Sequence, residues 1–294
     1  MKTIAIVGGG ITGVTTAYAL AKRGFSVTLF ERHRYAAMET SFANGGQLSA
    51  SNAEVWTHWS TILKGMKWML KSDAPLLINP KPSWHKLSWF AEFMAAMPAY
   101  EKNTIETARL AVAAREHLFT WAEAEGIDFD LKKQGILHIY RDKQGFEHAG
   151  RVSQLLAKGG LPRHAVTPEE MKAIEPTLAG KYYGGYFTES DSTGDIHKFS
   201  NELAKAVDRL GVKTLYEQDV VSVNSNNTQA TITVNQKDGK TSVLITTMYK
   251  SHLIKPPKFE QLFLCMMMPS QDCIKGLSAL LEQTTQLTHP CHLQ

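Results

Sequence analysis

Ile4-Ala5-Ile6-Val7-Gly8-Gly9-Gly10-Ile11-Thr12-Gly13, continued by Val14 to Arg23, Gly24 and Ser26-Val27-Thr28-Leu29-Phe30-Glu31, is the stretch that decides how this chain folds. Ile4 to Val7 is a short β-rich apolar run of the kind buried on both faces of a parallel sheet. Val14, Ala17, Tyr18 and Ala21 recur at helical spacing, and Gly24 stands just past them as a C-terminal cap. Ser26 to Phe30 reads as a second strand, closed by Glu31. The whole is a strand–helix–strand unit with G-x-G-x-x-G at its first turn, filled by Gly8, Gly10 and Gly13. Gly8 permits the tight turn, Gly10 lets backbone approach a pyrophosphate, and Gly13 lets the helix lie close to the strands. The helix N-terminus then offers N–H groups to an anion. Glu31 is spaced to accept hydrogen bonds from ribose hydroxyls. Ile11 and Thr12 between the glycines, and Arg32 after the acid, complete this candidate set.

The glycine spacing alone is weak evidence; its strand, helix and acid context makes the dinucleotide reading. Tyr18 and Lys22 also form Y-x-x-x-K, the spacing of a short-chain dehydrogenase pair. Their place on the phosphate-binding helix assigns them instead to an ordinary helix surface. A signal-peptide reading of the N-terminus fails because glycines and threonines interrupt the apolar run.

With 294 residues, 43% hydrophobic and 20% charged, the chain has room for two packed domains and the composition of a soluble globular protein. Disordered, collagenous and multispan membrane classes are excluded. A formal charge of +4 without long runs of one sign gives no footprint for nucleic acid. The three cysteines, Cys265, Cys273 and Cys291, leave most of the chain thiol-free, which fits a reducing, cytoplasmic compartment. With His289 and His292 they match no zinc spacing, so no metal is expected.

Soon after Glu31 comes TSFANGGQLSASNAEVW, Thr40 to Trp56. These residues resemble the D-amino-acid oxidase superfamily of FAD-dependent oxidoreductases, and within it most closely the small-subunit type of bacterial D-amino-acid dehydrogenase. The resemblance implies that Thr40, Ser41, Asn44, Gly45 and Gly46 line an FAD site. KKQGILHIYRD (Lys132 to Asp142) is similar to the family's strand entering the substrate domain. SDSTGDIHKFSNELAKAVDRLGVKTLYEQDVVSV (Ser190 to Val223) is similar to its return to the FAD domain, where the backbone at Val220 would contact adenine. The implied activity is oxidative deamination of a D-amino acid, with hydride passing from the substrate Cα to flavin N5. A quinone acceptor is also an expectation of the resemblance, and peripheral attachment to the inner face of the cell membrane is a further expectation for this chain. A glycine- or sarcosine-type flavin amine oxidase would share every residue quoted. A nicotinamide-dependent enzyme would leave Thr40 to Gly46 unexplained, and a remnant that binds nucleotide without turnover is a third alternative.

The expected fold is α/β: a Rossmann-like FAD-binding domain from residues 1–52 and 190–241, with an inserted, partial α+β substrate domain at 53–189. Within the insert, Val55, Trp59, Ile62, Met66 and Met69 share one helical face, while Lys64, Lys67 and Lys71 lie on others. Core packing is preferred over a membrane-surface helix for that face. A long helix around Ile105 to Glu125 follows, and Thr167-Pro168-Glu169-Glu170 is a capping box. Gly194-Asp195 opens a helix from Ile196 to Leu210 with Phe199, Leu203, Ala206 and Leu210 as its buried stripe. His197 is read as structural or solvated rather than as a catalytic base. Val212 to Tyr216, Val220 to Val223 and Gln229 to Asn235 are strands, with a turn at Asp238-Gly239. Beyond about Lys240 the pattern departs from the family, and 242–294 reads as an atypical tail, truncated or frame-shifted. The substrate-binding groups of the family come largely from that missing portion, so no catalytic residue is assigned.

Overall fold

The computed structural model describes residues 3–68, 81, 83–225, 229–236 and 241–247. Met69, the Asp238-Gly239 turn, the three cysteines and the tail beyond residue 247 lie outside the described residues. In chain order the elements begin β1 (Thr3–Val7), α1 (Ile11–Lys22), β2 (Ser26–Phe30), β3 (Gln47–Leu48), α2 (Trp59–Trp68), α3 (Trp84–Ala96) and α4 (Tyr100–Glu125). They continue as β4 (Ile136–Tyr140), α5 (Lys143–Lys158), β5 (His164–Val166), α6 (Pro168–Ile174), β6 (Gly184–Thr188) and β7 (Ser192–Thr193). The last are α7 (Ile196–Arg209), β8 (Lys213–Leu215), β9 (Gln218–Ser225), β10 (Gln229–Gln236) and β11 (Thr241–Thr247).

Two compact units divide these elements, the first from Met1–Ala50, Val112–Ile139 and Gly185–Ser251, the second from Ser51–Ala111 and Tyr140–Gly184. In the first unit β1 runs parallel to β2, Thr3 opposite Ser26 through Val7 opposite Phe30, and β2 runs parallel to β8. Parallel neighbours need a crossover, which α1 supplies between β1 and β2. The strands' two faces go to different partners. Ile6, Val27 and Leu29 pack with Val14, Ala17 and Tyr18 of α1 and Phe199, Leu203, Ala206 and Val207 of α7. Ala5, Val7 and Phe30 pack with Val220, Ile232 and Val234 of the antiparallel sheet ordered β11-β10-β9. Apolar partners on both faces are why Ala5, Ile6 and Val7, each half-buried, run on as apolar residues instead of alternating.

Helix α1 starts at Ile11, three residues before the apolar periodicity does, because Gly10 has the extended backbone of an N-cap. Helix α7 begins where Asp195 caps it, the carboxylate accepting the Lys198 N–H at 2.9 Å. Leu210, expected in the buried stripe, falls one residue past the helix end.

Residues 112–139, expected in the inserted domain, belong instead to the first unit. Leu118, Phe119, Trp121, Ala122 and Phe129 join the α1–α7 core, so α4 is shared by the two units. Tyr18 likewise corrects the sequence reading: it is buried, and its hydroxyl donates to Glu125 Oε1 at 2.7 Å. Burial, then that hydrogen bond, push its phenol up to about 12. An unfolded tyrosine titrates near 10, so the stability carried by the neutral phenol is complete below about pH 10 and is lost as pH rises through about 12. Tyr18→Phe is expected to cost about 1.5–3 kcal/mol at neutral pH and to flatten that alkaline loss. Thermal melts of both proteins across pH, alongside near-ultraviolet titration of the phenol, check it; equal alkaline slopes would refute the assignment.

In the second unit, α5 is capped by Asp142, which accepts the Gly145 N–H at 2.8 Å, and α6 by the full Thr167–Glu170 box. Gly159 ends α5 so close to α4 that a Cβ there would sit 2.6 Å from the Ala108 Cβ. The expectation that Trp59 packs into a core is overturned, since it is 61% exposed. Periodicity reveals which residues share a face, not whether anything covers it.

Candidate cofactor site

Backbone contact builds the first turn. Gly8 sits at φ +99, a left-handed conformation that side chains disfavour, and its N–H donates to the Phe30 carbonyl at 2.8 Å. A Cβ on Gly13 would stand 1.8 Å from the Gly8 carbonyl oxygen. Helix and turn therefore touch with no room for any side chain. Gly10 is different. As the α1 N-cap it has φ −70 and ψ 179, which any residue adopts, and a Cβ built there meets only Ser41 Oγ, at 3.4 Å. Nothing within the described protein requires glycine at that position, whereas a pyrophosphate seated on the positive end of α1 would. The residues present thus fit a dinucleotide diphosphate.

Glu31 is buried at the end of β2. Its Oε2 accepts the Gly9 N–H at 2.6 Å and its Oε1 accepts the His33 N–H at 2.8 Å. A carboxylate offers about four lone-pair sites, leaving capacity for ribose hydroxyls. Glu31→Ala is expected to weaken FAD binding by about 1.5–3 kcal/mol through loss of a charge-assisted acceptor. Isothermal titration checks it, and an unchanged dissociation constant would remove Glu31 from the site. Beside it, a cavity of about 470 Å³ opens between Arg32, Arg34 and Met38 on one side and Glu217, Asp219 and Asn235 on the other. Val220, next to Asp219, is buried with Phe30, Ile232 and Val234. Arg32 pairs with Glu39 near the surface, and hydrogen bonds from His33 and Arg32 hold the Glu39 carboxyl below its ordinary range.

The Thr40 to Gly46 segment is tied to α1 by Ser41, whose hydroxyl accepts the Ile11 N–H at 3.1 Å. Asn44 then turns the chain, donating to the Ser41 carbonyl and accepting the Gly46 N–H at 2.8 Å. Gly46 lies at φ +62 with the Gly194 carbonyl 3.0 Å from where its Cβ would be, while Gly45 has open space. Thr12 is exposed in the first turn of α1, and Thr40 is exposed at the start of the segment. Gly8 to Gly13, Glu31 and Ser41 are thus joined by direct contacts. Arg32 lines the neighbouring cavity, Val220 is buried in the core one residue after the cavity-lining Asp219, and Gly46 meets Gly194 just past β7.

His197 is packed rather than solvated: its ring meets Phe42 edge-on at 4.7 Å, and its Nε2 is buried without a hydrogen-bond partner among the described residues. Sequence reasoning missed Asp191, which is fully buried against Arg115. No motif marks a buried ion pair whose partners are far apart in the chain. Among the described residues, no cluster of three or more histidine, cysteine or acidic side chains could hold a metal ion.

Fold and site together define an α/β protein of the dinucleotide-binding kind, with an acid-ended second strand and a glycine cradle at α1. The chain belongs to the FAD dependent oxidoreductase family, whose model matches residues 3–270. FAD is therefore the family's cofactor, and a nicotinamide enzyme is set aside. The match also continues beyond Lys240, where the quoted motifs end. "D-amino acid dehydrogenase 3" of Mesorhizobium japonicum is 60% identical over 223 residues, covering 76% of this chain and 54% of that relative. "D-amino acid dehydrogenase" of Paramagnetospirillum magneticum is 39% identical over 233 residues, with the same coverages. The chain thus spans about half the length of the curated relatives it matches. Among solved structures, L-proline dehydrogenase from P. horikoshii superposes with a TM-score of 0.56 at 21% identity, over 84% of this chain and 50% of that one. Glycine oxidase from Bacillus cereus gives 0.51 at 20% identity, over 84% and 52%. Both likenesses are of fold.

Proposed function

We propose that this protein binds FAD through Gly8, Gly10, Ile11, Thr12, Gly13, Glu31, Arg32, Thr40, Ser41, Asn44, Gly45, Gly46 and Val220, and serves the oxidative deamination of D-amino acids. The observation that carries the reading is the Gly10 cradle, where glycine is explained by a docked diphosphate and by nothing among the described residues. The substrate class rests on the relatives named D-amino acid dehydrogenase. Bound FAD supplies a two-electron acceptor. The protein's own part is to hold the diphosphate on the α1 N-terminus, to hold ribose on Glu31, and to carry the Thr40–Gly46 segment beside the ring. The first unit is accordingly the cofactor domain and the second the substrate domain.

The test is flavin binding by the 294-residue chain, followed by anaerobic bleaching with D-alanine and other D-amino acids. Bleaching by sarcosine and glycine alone would move the activity to the amine-oxidase alternative, and binding without bleaching would mark a non-catalytic remnant.

A quinone acceptor and peripheral attachment to the cytoplasmic membrane face belong to the same proposal. No helix among the described residues is long and apolar enough to cross a membrane. Support for attachment comes from α3, where Trp84 is 83% exposed and Leu87, Phe90 and Met94 follow on the same helical side. Flotation with anionic vesicles checks it: wild type is expected to float and Trp84→Ser to float less, and a wild type left at the bottom of the gradient refutes it.

A further inference from the structure

We propose that the buried Asp191–Arg115 pair is a positioning element that holds the Asn44–Ala50 chain where the ring half of FAD is bound. The proposal rests on the cofactor reading given above.

Three separate stretches meet at this one carboxylate. Asp191 Oδ1 accepts from Arg115 Nη1 at 2.8 Å and from the Ala50 N–H at 3.1 Å, and Oδ2 accepts from Ser49 Oγ at 3.2 Å. The Asp191 side chain is 0% exposed and that of Arg115 12%. Its backbone is fixed as well: the N–H donates to the Thr188 carbonyl at 3.2 Å and the carbonyl accepts the Gly135 N–H at 3.1 Å. Ala50, Arg115 and Asp191 all belong to the first unit, each from a different one of its three chain segments. The carboxylate therefore joins the three chain segments from which the first unit is built.

The ladder it terminates is short. β3 pairs with β7 only at Gln47 with Thr193 and Leu48 with Ser192, and the Gly194 N–H donates to the Gly46 carbonyl at 2.8 Å. Two residue pairs do not hold a strand in place on their own. With the Gly46 bond at one end and the Asp191 carboxylate at the other, residues 46–50 have one register. Asn44 and Gly45, which precede it directly, are thereby held as well. A buried ion pair adds little net stability over a well-packed apolar replacement, so fixing one geometry is the better account of its presence.

The positioning role predicts a split between two ligands. ADP would engage the Gly8–Gly13 turn, Glu31 and the Val220 backbone that meets adenine, whereas FAD also needs the Thr40–Gly46 segment. Asp191→Asn and Arg115→Met are expected to weaken FAD by about tenfold, the equivalent of one charge-assisted hydrogen bond, with ADP affinity unchanged. Arg115→Lys keeps the charge and is expected to restore most of the FAD affinity. Titrations of the full chain well below its melting temperature supply both constants. Equal weakening of both ligands, or no change in either, would overturn the positioning role and leave the proposed function standing. Wild type that binds ADP but not FAD would overturn the cofactor reading and this inference with it. Should Asp191→Asn fail to fold, Ser49→Ala and Arg115→Lys carry the same comparison: the role requires FAD to weaken more than ADP in the former and near wild-type affinity for both in the latter.

Discussion

Gly13→Ala is expected to leave little or no folded protein. The new Cβ would lie 1.8 Å from the Gly8 carbonyl oxygen, 3.0 Å from its carbon and 3.6 Å from Ile6 Cγ2. Relief requires lifting α1 off the turn, because the opposing atoms are backbone and cannot swing aside. The same helix carries Val14, Ala17 and Tyr18, each at most 1% exposed in the main core. Ordinary overpacking costs about 1–3 kcal/mol, and a clash with backbone at this distance exceeds that range. Against a total stability of about 5–15 kcal/mol the loss is decisive. Denaturant unfolding or soluble yield measures it, and a Gly13→Ala protein melting within a few degrees of wild type would refute the close approach.

Gly10→Val is expected to do the reverse, sparing the fold and abolishing FAD binding. Its backbone is extended, its neighbour Ser41 Oγ stands 3.4 Å from the new Cβ, and no other described atom lies within 4 Å. Exchanging an N-cap glycine for valine costs the free protein about 1 kcal/mol at most. A valine side chain, however, fills the space a diphosphate would occupy on the α1 N-terminus. Wild type at a free FAD concentration of about a hundred times its dissociation constant gains about 2.7 kcal/mol, and the variant is expected to gain none. Melting each protein with and without FAD reads the difference. A ligand-dependent shift retained in Gly10→Val would relocate the pyrophosphate.

The contrast between these two glycines shows where sequence ends and tertiary structure begins. Both come from one motif, and the motif names the positions, yet only the packed geometry separates a glycine the helix needs from one that a ligand needs. The Rossmann-like fold and its cofactor class were legible because the relevant constraints are local: strand, turn, cap and acid lie within residues 4–31. Ser41 was named by resemblance to the family, and its bond to the Ile11 N–H required the folded chain. Helix ends such as Asp195 and the Thr167 box were legible for the same local reason.

Periodicity also located the faces of helices, but what those faces meet was decided elsewhere. Tyr18 finds Glu125, 107 residues away, and so becomes a core residue with a displaced phenol where the sequence suggested a surface. Residues 112–139 join the first unit because Trp121, Ala122 and Phe129 match its core, although their sequence neighbours lie in the second. Asp191 and Arg115, 76 residues apart, form a buried pair that no spacing announces. Local geometry is set by φ, ψ and a few adjacent side chains and is written in contiguous residues. Burial is a property of two surfaces at once, and a linear chain records each surface without recording which other one it will meet.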